Sequence, residues 1–390
     1  MDAKRTMTSW LLVAIGVVAA TQPVHAIIIS ASQNMATRGR GMDPADFFKG
    51  VGMVGRLDAN NNDSRNYFCT GTLIQPPADQ PQTKKFVLTA AHCTFDNAFD
   101  IRGGQDYPGD YPPSPSEEIP SQYPYPSSPR LPYAPPPGSP VPFLGAYPQN
   151  KMTFTLPLEA AGVHYKSTKV TRHPNYVAGD STYDIAIIEL EAEVASTAWK
   201  INGGEIADER AAALVGLGYK VGYGAGGDGA NGEKLLFGNK RQGVNMVDRF
   251  DGMANQLMEF DFDNHAIDPL TNAIAAIGPT GGTAIGQCDN NLLPIWNRCE
   301  ANTTHGDSGG PMFIRDVTNN MWRVAGVTRG GDSLGMGQGG VGFGEIANDV
   351  RVQVVSGWIN QNVPEPASIV LVILGLAGSG LSRLKGRCRN

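Results

Sequence analysis

The stretch Thr304-His305-Gly306-Asp307-Ser308-Gly309-Gly310-Pro311 sets a serine between glycines, after an acid and before a proline. Glycine there permits positive φ and lets a substrate backbone approach closely. A serine hydroxyl is a weak nucleophile until a base takes its proton. Ser308 therefore requires a histidine, and a carboxylate to orient that histidine. Two upstream segments offer them. His92 lies in Leu88-Thr89-Ala90-Ala91-His92-Cys93, and Asp184 in Tyr183-Asp184-Ile185-Ala186, at the start of an isoleucine-rich run that reaches Leu190. An acid beside so apolar a run is costly unless it is hydrogen-bonded or paired.

The elements that must carry these residues read as short strands. Gly50 to Leu57, Phe68 to Ile74, Phe86 to Thr89, Met152 to Phe154 and Tyr183 to Leu190 are apolar and β-prone, with Asn, Pro and Gly clusters between them. That pattern predicts an antiparallel β-barrel. Lys220 to Gly224 opens a second set, followed by a glycine loop through Gly232 and by strands near Glu259 to Phe262, Met312 to Ile314 and Trp322 to Thr328. Residues 203–217 are Ala-rich and partly helical in pattern, and Asn348 to Asn362 reads as a closing helix. Residues 264–300 carry little pattern and read as long loops. Residues 104–148 hold 15 of the 28 prolines and six of the 12 tyrosines, which predicts an exposed, extended insertion, either a spacer or a tyrosine-bearing binding surface.

Charged residues make up 17% of the 390-residue chain and the net charge is −6, which argues against nucleic acid as a partner. Residues 1–26 have the form of a secretory signal: basic Lys4 and Arg5, an apolar core from Trp10 to Ala20, and Val24-His25-Ala26 before a cleavage point. Export permits disulfides. Cys69, Cys93, Cys288 and Cys299 lie in the body and Cys388 in the tail. No Cys-x-x-Cys pair is present, so neither zinc nor another cofactor is expected.

His92, Asp184 and the Gly306-Asp307-Ser308-Gly309-Gly310-Pro311 string, in that order, resemble the trypsin/chymotrypsin-like serine peptidases. The resemblance extends to His173-Pro174-Asn175-Tyr176 and the closing helix, over roughly residues 48–362. It implies an all-β fold of two antiparallel six-stranded barrels with a C-terminal helix, spanning residues 27–362 with the insertion as an addition. It implies cleavage of a protein or peptide substrate through an acyl-enzyme. Ser308 would be the nucleophile, His92 the base, Asp184 its orienting acid, and the N–H groups of Gly306 and Ser308 the oxyanion hole. It also implies a Cys69–Cys93 disulfide, which leaves Cys288–Cys299 as the remaining pair.

Three departures qualify what the resemblance implies. The family's new Ile-Val-Gly-Gly terminus is missing, so the expectation is that signal cleavage exposes Ile27 and its ammonium pairs with Asp307. Asn302 stands at the pocket floor, which argues against a Lys/Arg preference. Thr328, Arg329 and Gly330 form the substrate-binding edge, where Arg329 is either a determinant for acidic substrates or an ordinary exposed arginine.

Residues 363–390 resemble the PEP-CTERM sorting signal, with Pro364-Glu365-Pro366, an apolar stretch and a basic end. That implies an exosortase-type processing enzyme as a partner and the envelope or matrix of a Gram-negative bacterium as the destination. The uncharged stretch Ala367 to Ser382 is short of the roughly 20 residues of a comfortable membrane span. The rival to the enzyme is a catalytically silent surface-binding protein on the same fold. Oligomeric state is not legible in the sequence.

Overall fold

The computed structural model describes residues 27–29, 46–57, 63–75, 84–97, 143–146, 149–159, 163–177, 182–216, 218–228, 232–235, 238, 240–262, 301–332 and 345–363. The signal segment before Ile27, most of the Pro/Tyr insertion, Cys288, Cys299 and the tail after Val363 lie outside the described residues.

In chain order the first elements are β1 (Ile27–Ile29), β2 (Val51–Leu57), β3 (Asp63–Ile74), β4 (Phe86–Thr89), β5 (Phe95–Asn97), β6 (Phe143–Ala146), β7 (Met152–Thr155), β8 (His164–Arg172) and β9 (Ala186–Leu190). Then come α1 (Glu209–Gly216), β10 (Gly218–Gly222), β11 (Gly226–Asp228), β12 (Gly232–Leu235), β13 (Arg241–Asn245), β14 (Arg249–Asp251) and β15 (Leu257–Asp261). The last are β16 (Ala301–Asn302), β17 (Pro311–Asp316), β18 (Met321–Asp332), β19 (Ile346–Arg351) and α2 (Val352–Asn362). The chain is mainly β, as its sequence predicts.

Strands β2, β3, β4, β9, β8 and β7 close into a six-stranded barrel. Alternation along each strand sorts its side chains between two cores, as the period of two requires. Val87 and Ile188 point into the barrel with Val54, Leu73, Phe154 and Val170. Their neighbours Phe86, Leu88 and Ile187 point outward, into a second cluster with Tyr219, Val221, Phe313 and Val327. Burying such side chains stabilises by about 1.5–3 kcal/mol each. This shared cluster fastens the barrel to the rest of the molecule.

The second assembly is a seven-stranded sheet in the order β13-β10-β17-β18-β19-β15-β14, where the resemblance implies a second six-stranded barrel. A smaller sheet, β12-β11-β1-β16, has its own ladder and packs against β13, where Asn245 Nδ2 donates to the Ala301 carbonyl (2.9 Å). The glycine loop after Gly224 contains β11 and β12, and residues 165–172, to which the sequence assigns no element, form most of β8. The closing helix starts later than its pattern predicts. Ile346 to Val350 pair on both sides, with β18 and with β15, Arg351 pairs with Gly326 of β18, and only Val352 onward turns helical. Val352, Val355 and Ile359 then anchor α2 in the shared cluster.

The insertion has a described foot. Phe95 pairs with Ala146 and Asn97 with Phe143, so the chain leaves and rejoins the fold through a two-stranded ribbon just after His92. Among the described residues no helix is long and apolar enough to cross a membrane.

Candidate active site

Register brings His92 and Asp184 together. β4 and β9 run antiparallel with Thr89 opposite Ala186. The chain leaving β4 therefore passes the chain entering β9, three residues on and two residues back. His92 opens a 3-10 turn, His92–Thr94, whose Thr94 N–H donates to the Ala91 carbonyl (2.9 Å). Arg172 on β8 pins this turn, with Nε donating to Thr94 Oγ1 (2.6 Å) and Nη2 to the Thr94 carbonyl, and its guanidinium 4.4 Å from the Phe95 ring centre.

Asp184 clamps the histidine twice. Its Oδ1 accepts the His92 backbone N–H at 2.7 Å, and its Oδ2 lies 2.5 Å from His92 Nδ1. The carboxylate is 6% exposed and the imidazole 32%, so the acid is shielded while the ring's far edge faces outward. A carboxylate on Nδ1 fixes the tautomer that leaves Nε2 as the base. Below it, Tyr183 stacks on His173 with ring centres 4.6 Å apart. Burial lowers the His173 pKa, which favours its neutral form. Tyr176 packs at 5.5 Å from Phe95, and burial, aided by the Asp184 charge, raises its phenol pKa well above the ordinary value.

Ser308 sits half-buried on the turn before β17. Thr70, the residue after Cys69, ties that turn to the barrel. Its N–H donates to the Ser308 carbonyl (2.8 Å), its hydroxyl donates to the Gly306 carbonyl (2.9 Å), and the same oxygen accepts the Tyr223 N–H (3.0 Å). Gly309 touches the barrel directly, with φ at 83°. A Cβ there would lie 2.1 Å from Thr89 Oγ1 and 2.3 Å from the Thr70 carbonyl oxygen, so no other residue fits. Cys69 and Cys93 form a disulfide with Cα atoms 6.2 Å apart. Cys93 Sγ lies 3.7 Å from His92 Nε2 and 3.6 Å from the Ser308 carbonyl oxygen, so histidine and serine flank one sulfur. The two sulfurs and the His92 ring fall within 4.8 Å of one another, but a disulfide offers a metal no thiolate. Ser308 Oγ makes no hydrogen bond among the described residues. Catalytic hydrogen bonds often tighten only when substrate binds.

Peptide planarity explains how the turn presents donors. In a trans peptide the N–H points opposite to the preceding C=O. The His305 carbonyl is held by the Ala225 N–H (2.9 Å), which turns the Gly306 N–H the other way. The Asp307 carbonyl is held by the Gly310 N–H (2.8 Å), which does the same for the Ser308 N–H. The Asp307 N–H between them folds back on the Thr304 carbonyl (3.1 Å). Among the described residues neither the Gly306 nor the Ser308 N–H has an acceptor, so the turn offers two donors about the serine. Gly306, with φ at 93°, makes the geometry possible.

Asp307 is buried beneath the turn. Its Oδ1 accepts the Gly224 N–H (2.8 Å), and its Oδ2 lies 2.9 Å from both the Thr304 N and the Thr304 Oγ1. Burial raises its pKa to about 6, against those hydrogen bonds and the Arg241 charge, which pull it down. β1 lies nearby, with Ile27 opposite Gly226 in parallel pairing, but in the uncut chain Asp307 draws its described donors from Gly224 and Thr304.

The substrate-side residues fall in three settings. Asn302 is buried on β16, opposite Ile28, with its Oδ1 accepting the Thr303 N–H (2.8 Å). Thr328 is buried, and its backbone is committed to the Ser308 turn: its N–H donates to the Gly310 carbonyl (2.8 Å) and its carbonyl accepts the Gly309 N–H (2.7 Å). Arg329 and Gly330 are half-exposed, and the β18–β19 register breaks between Thr328 and Gly330, which leaves Arg329 without an opposite residue.

Sequence reasoning names His92, Asp184 and Ser308 but passes over Thr70, Thr304, Arg172 and Arg241, which bond the segments around them. One signal was available for Thr70: it directly follows the cysteine expected to bridge to Cys93. No family model matches the chain, and no curated protein matches it.

Proposed function

We propose that this protein is an exported serine endopeptidase that cleaves peptide bonds through an acyl-enzyme on Ser308. The observation that carries the reading is the Asp184 clamp on His92, with the ring nitrogen and the backbone nitrogen of one histidine bound to one shielded carboxylate. A shielded acid that holds both the Nδ1 and the backbone N–H of a part-exposed histidine, leaving Nε2 open, has little structural purpose and a clear catalytic one. The Ser308 turn is bonded to the barrel within contact of the same sulfur as His92, and it offers two donors to a developing oxyanion. One such donor is commonly worth about 3–4 kcal/mol of transition-state stabilisation.

In this reading His92 takes the Ser308 proton as Oγ attacks the scissile carbonyl, then returns it to the leaving amine. Asp184 stabilises the imidazolium in between. Water repeats the cycle and frees the acid product. The seven-stranded sheet is the counterpart of the second barrel in the trypsin-like arrangement. Arg329 and Gly330 are the edge on which a substrate strand is laid, Asn302 gives a pocket floor without charge, and Arg329 favours acidic side chains. Residues 1–26 direct export, and residues 363–390 direct sorting and removal of the tail. Labelling with a fluorophosphonate, against Ser308→Ala, tests the reading. Loss of the label in that variant supports it. Absence of any Ser308-dependent label favours a silent surface-binding protein that presents the Pro/Tyr insertion.

A further inference from the structure

We propose that Arg241, together with Thr304, holds Asp307 and the turn above it in working order, so that the unprocessed chain is catalytically competent without an amino-terminal ammonium. The inference rests on the hydrolase reading and concerns how that site is regulated. It departs from the expectation that the Ile27 ammonium does this work.

Sheet geometry places the arginine. Arg241 on β13 stands opposite Gly222 on β10. Side chains of opposite residues lie on one face of the sheet, with Cβ atoms about 5 Å apart. Gly222 has no side chain, and the space is filled: a Cβ there would lie 2.0 Å from Asp307 Oδ1. The carboxylate of Asp307 thus occupies the place of the side chain that would face Arg241. The guanidinium reaches one peptide further, and its Nη1 donates to the Gly224 carbonyl (3.2 Å) while the Gly224 N–H donates to Asp307 Oδ1 (2.8 Å). Cation and anion therefore bind the two backbone groups of one residue, Gly224. Arg241 is 1% exposed and Asp307 is 2% exposed.

A second buried cation, Lys220 on β10, is also within electrostatic reach of Asp307, but it is bonded to Asp349 on β19 at 2.7 Å. Among the described residues the buried set is then two cations and two carboxylates, balanced when Asp307 is ionised with Arg241 beside it. An ammonium brought in from Ile27 would add an uncompensated charge to that set, which burial strongly disfavours. Thr304 completes the cradle by offering its N–H to Oδ2, with its hydroxyl, shared with the Ala225 carbonyl, 2.9 Å from the same oxygen. The carbonyls that aim the Gly306 and Ser308 N–H groups belong to His305 and Asp307, so the cradle and the oxyanion donors move together. Arg241 is a positioning residue in this scheme, since it touches neither substrate nor nucleophile.

The test compares fluorophosphonate labelling of Ser308 in the full chain with residues 1–26 retained and in the exported chain. Equal rates within about threefold are expected. Arg241→Met is expected to lower kcat for a peptide ester about 100-fold, the order seen for loss of one oxyanion donor, with KM little changed. Arg241→Lys is expected to recover most of it, a rescue that a purely structural role would not tie to kcat alone. Labelling confined to the exported chain would overturn the inference and leave the hydrolase reading standing, as would a folded Arg241→Met with parental kcat. Absence of labelling in both forms would overturn both. Should Arg241→Met fail to fold, the leader comparison and Arg241→Lys decide the question.

Discussion

Thr70→Val isolates one hydroxyl. Valine keeps the shape of threonine and removes a group that bonds twice, as donor to the Gly306 carbonyl at 2.9 Å and as acceptor of the Tyr223 N–H at 3.0 Å. Thr70 is fully buried, so water cannot replace either bond. Each lost hydrogen bond costs about 1 kcal/mol, and a buried backbone group left without a partner costs about 1–3 kcal/mol, so the variant should be less stable by about 2–4 kcal/mol. Because the Gly306 carbonyl lies between the two oxyanion donors, its release should also slow fluorophosphonate labelling about tenfold, less than outright loss of a donor. Stability is read from urea unfolding in the Ser308→Ala background, where self-cleavage cannot intrude, and labelling from the Ser308 form. Thr70→Ser keeps the hydroxyl and should fall far less on both. Parental stability within about 0.5 kcal/mol, a quarter of the smallest expected effect, together with an unchanged labelling rate would refute the view that Thr70 couples the barrel to the Ser308 turn.

Three further outcomes follow from the same geometry. The folded pKa of Asp307, about 6, lies above the unfolded value near 3.8, so the folded chain binds the extra proton. Its contribution is fully present below about pH 4 and is lost as pH rises through 6, a fall of roughly 3 kcal/mol that Asp307→Asn should abolish in urea midpoints taken across that window. Opening the Cys69–Cys93 bridge, which spans a sequence separation of 24, should cost about 3–4 kcal/mol on the chain-entropy model, and Cys69→Ser with Cys93→Ser measures it by thermal unfolding. A peptide library should show a gain for acidic side chains that Arg329→Gln removes; a flat profile in the parent would dismiss Arg329 as a determinant.

His92, Asp184 and Ser308 are legible as candidates because the proposed chemistry admits few residue types and marks its surroundings. A histidine at the end of an apolar strand, an acid at the start of another and a serine in a glycine turn each leave a local pattern. The residues that hold them leave none. Thr70 matters because of Gly306, 236 positions away, and Asp307 draws a donor from Gly224, 83 positions away. A threonine's neighbours do not disclose such a partner. Strand β8 was missed for a related reason. Within His164–Arg172 only Ser167 and Val170 are buried, and pairing with β7 and β9 rather than its own composition makes it a strand. Residues 348–351 show the converse, since they adjoin the helically spaced Val352, Val355, Trp358 and Ile359 while their pairing with β18 and β15 keeps them extended.

The central claim is that Ser308 is a nucleophile activated by His92 and Asp184, and the rate of fluorophosphonate attachment to Ser308, followed by intact mass, tests it most directly. A single adduct is predicted, absent in Ser308→Ala and slowed on the order of 10³–10⁴-fold in His92→Ala and in Asp184→Asn. An adduct that forms at the parental rate without His92, or no adduct on Ser308 at all, would contradict the account.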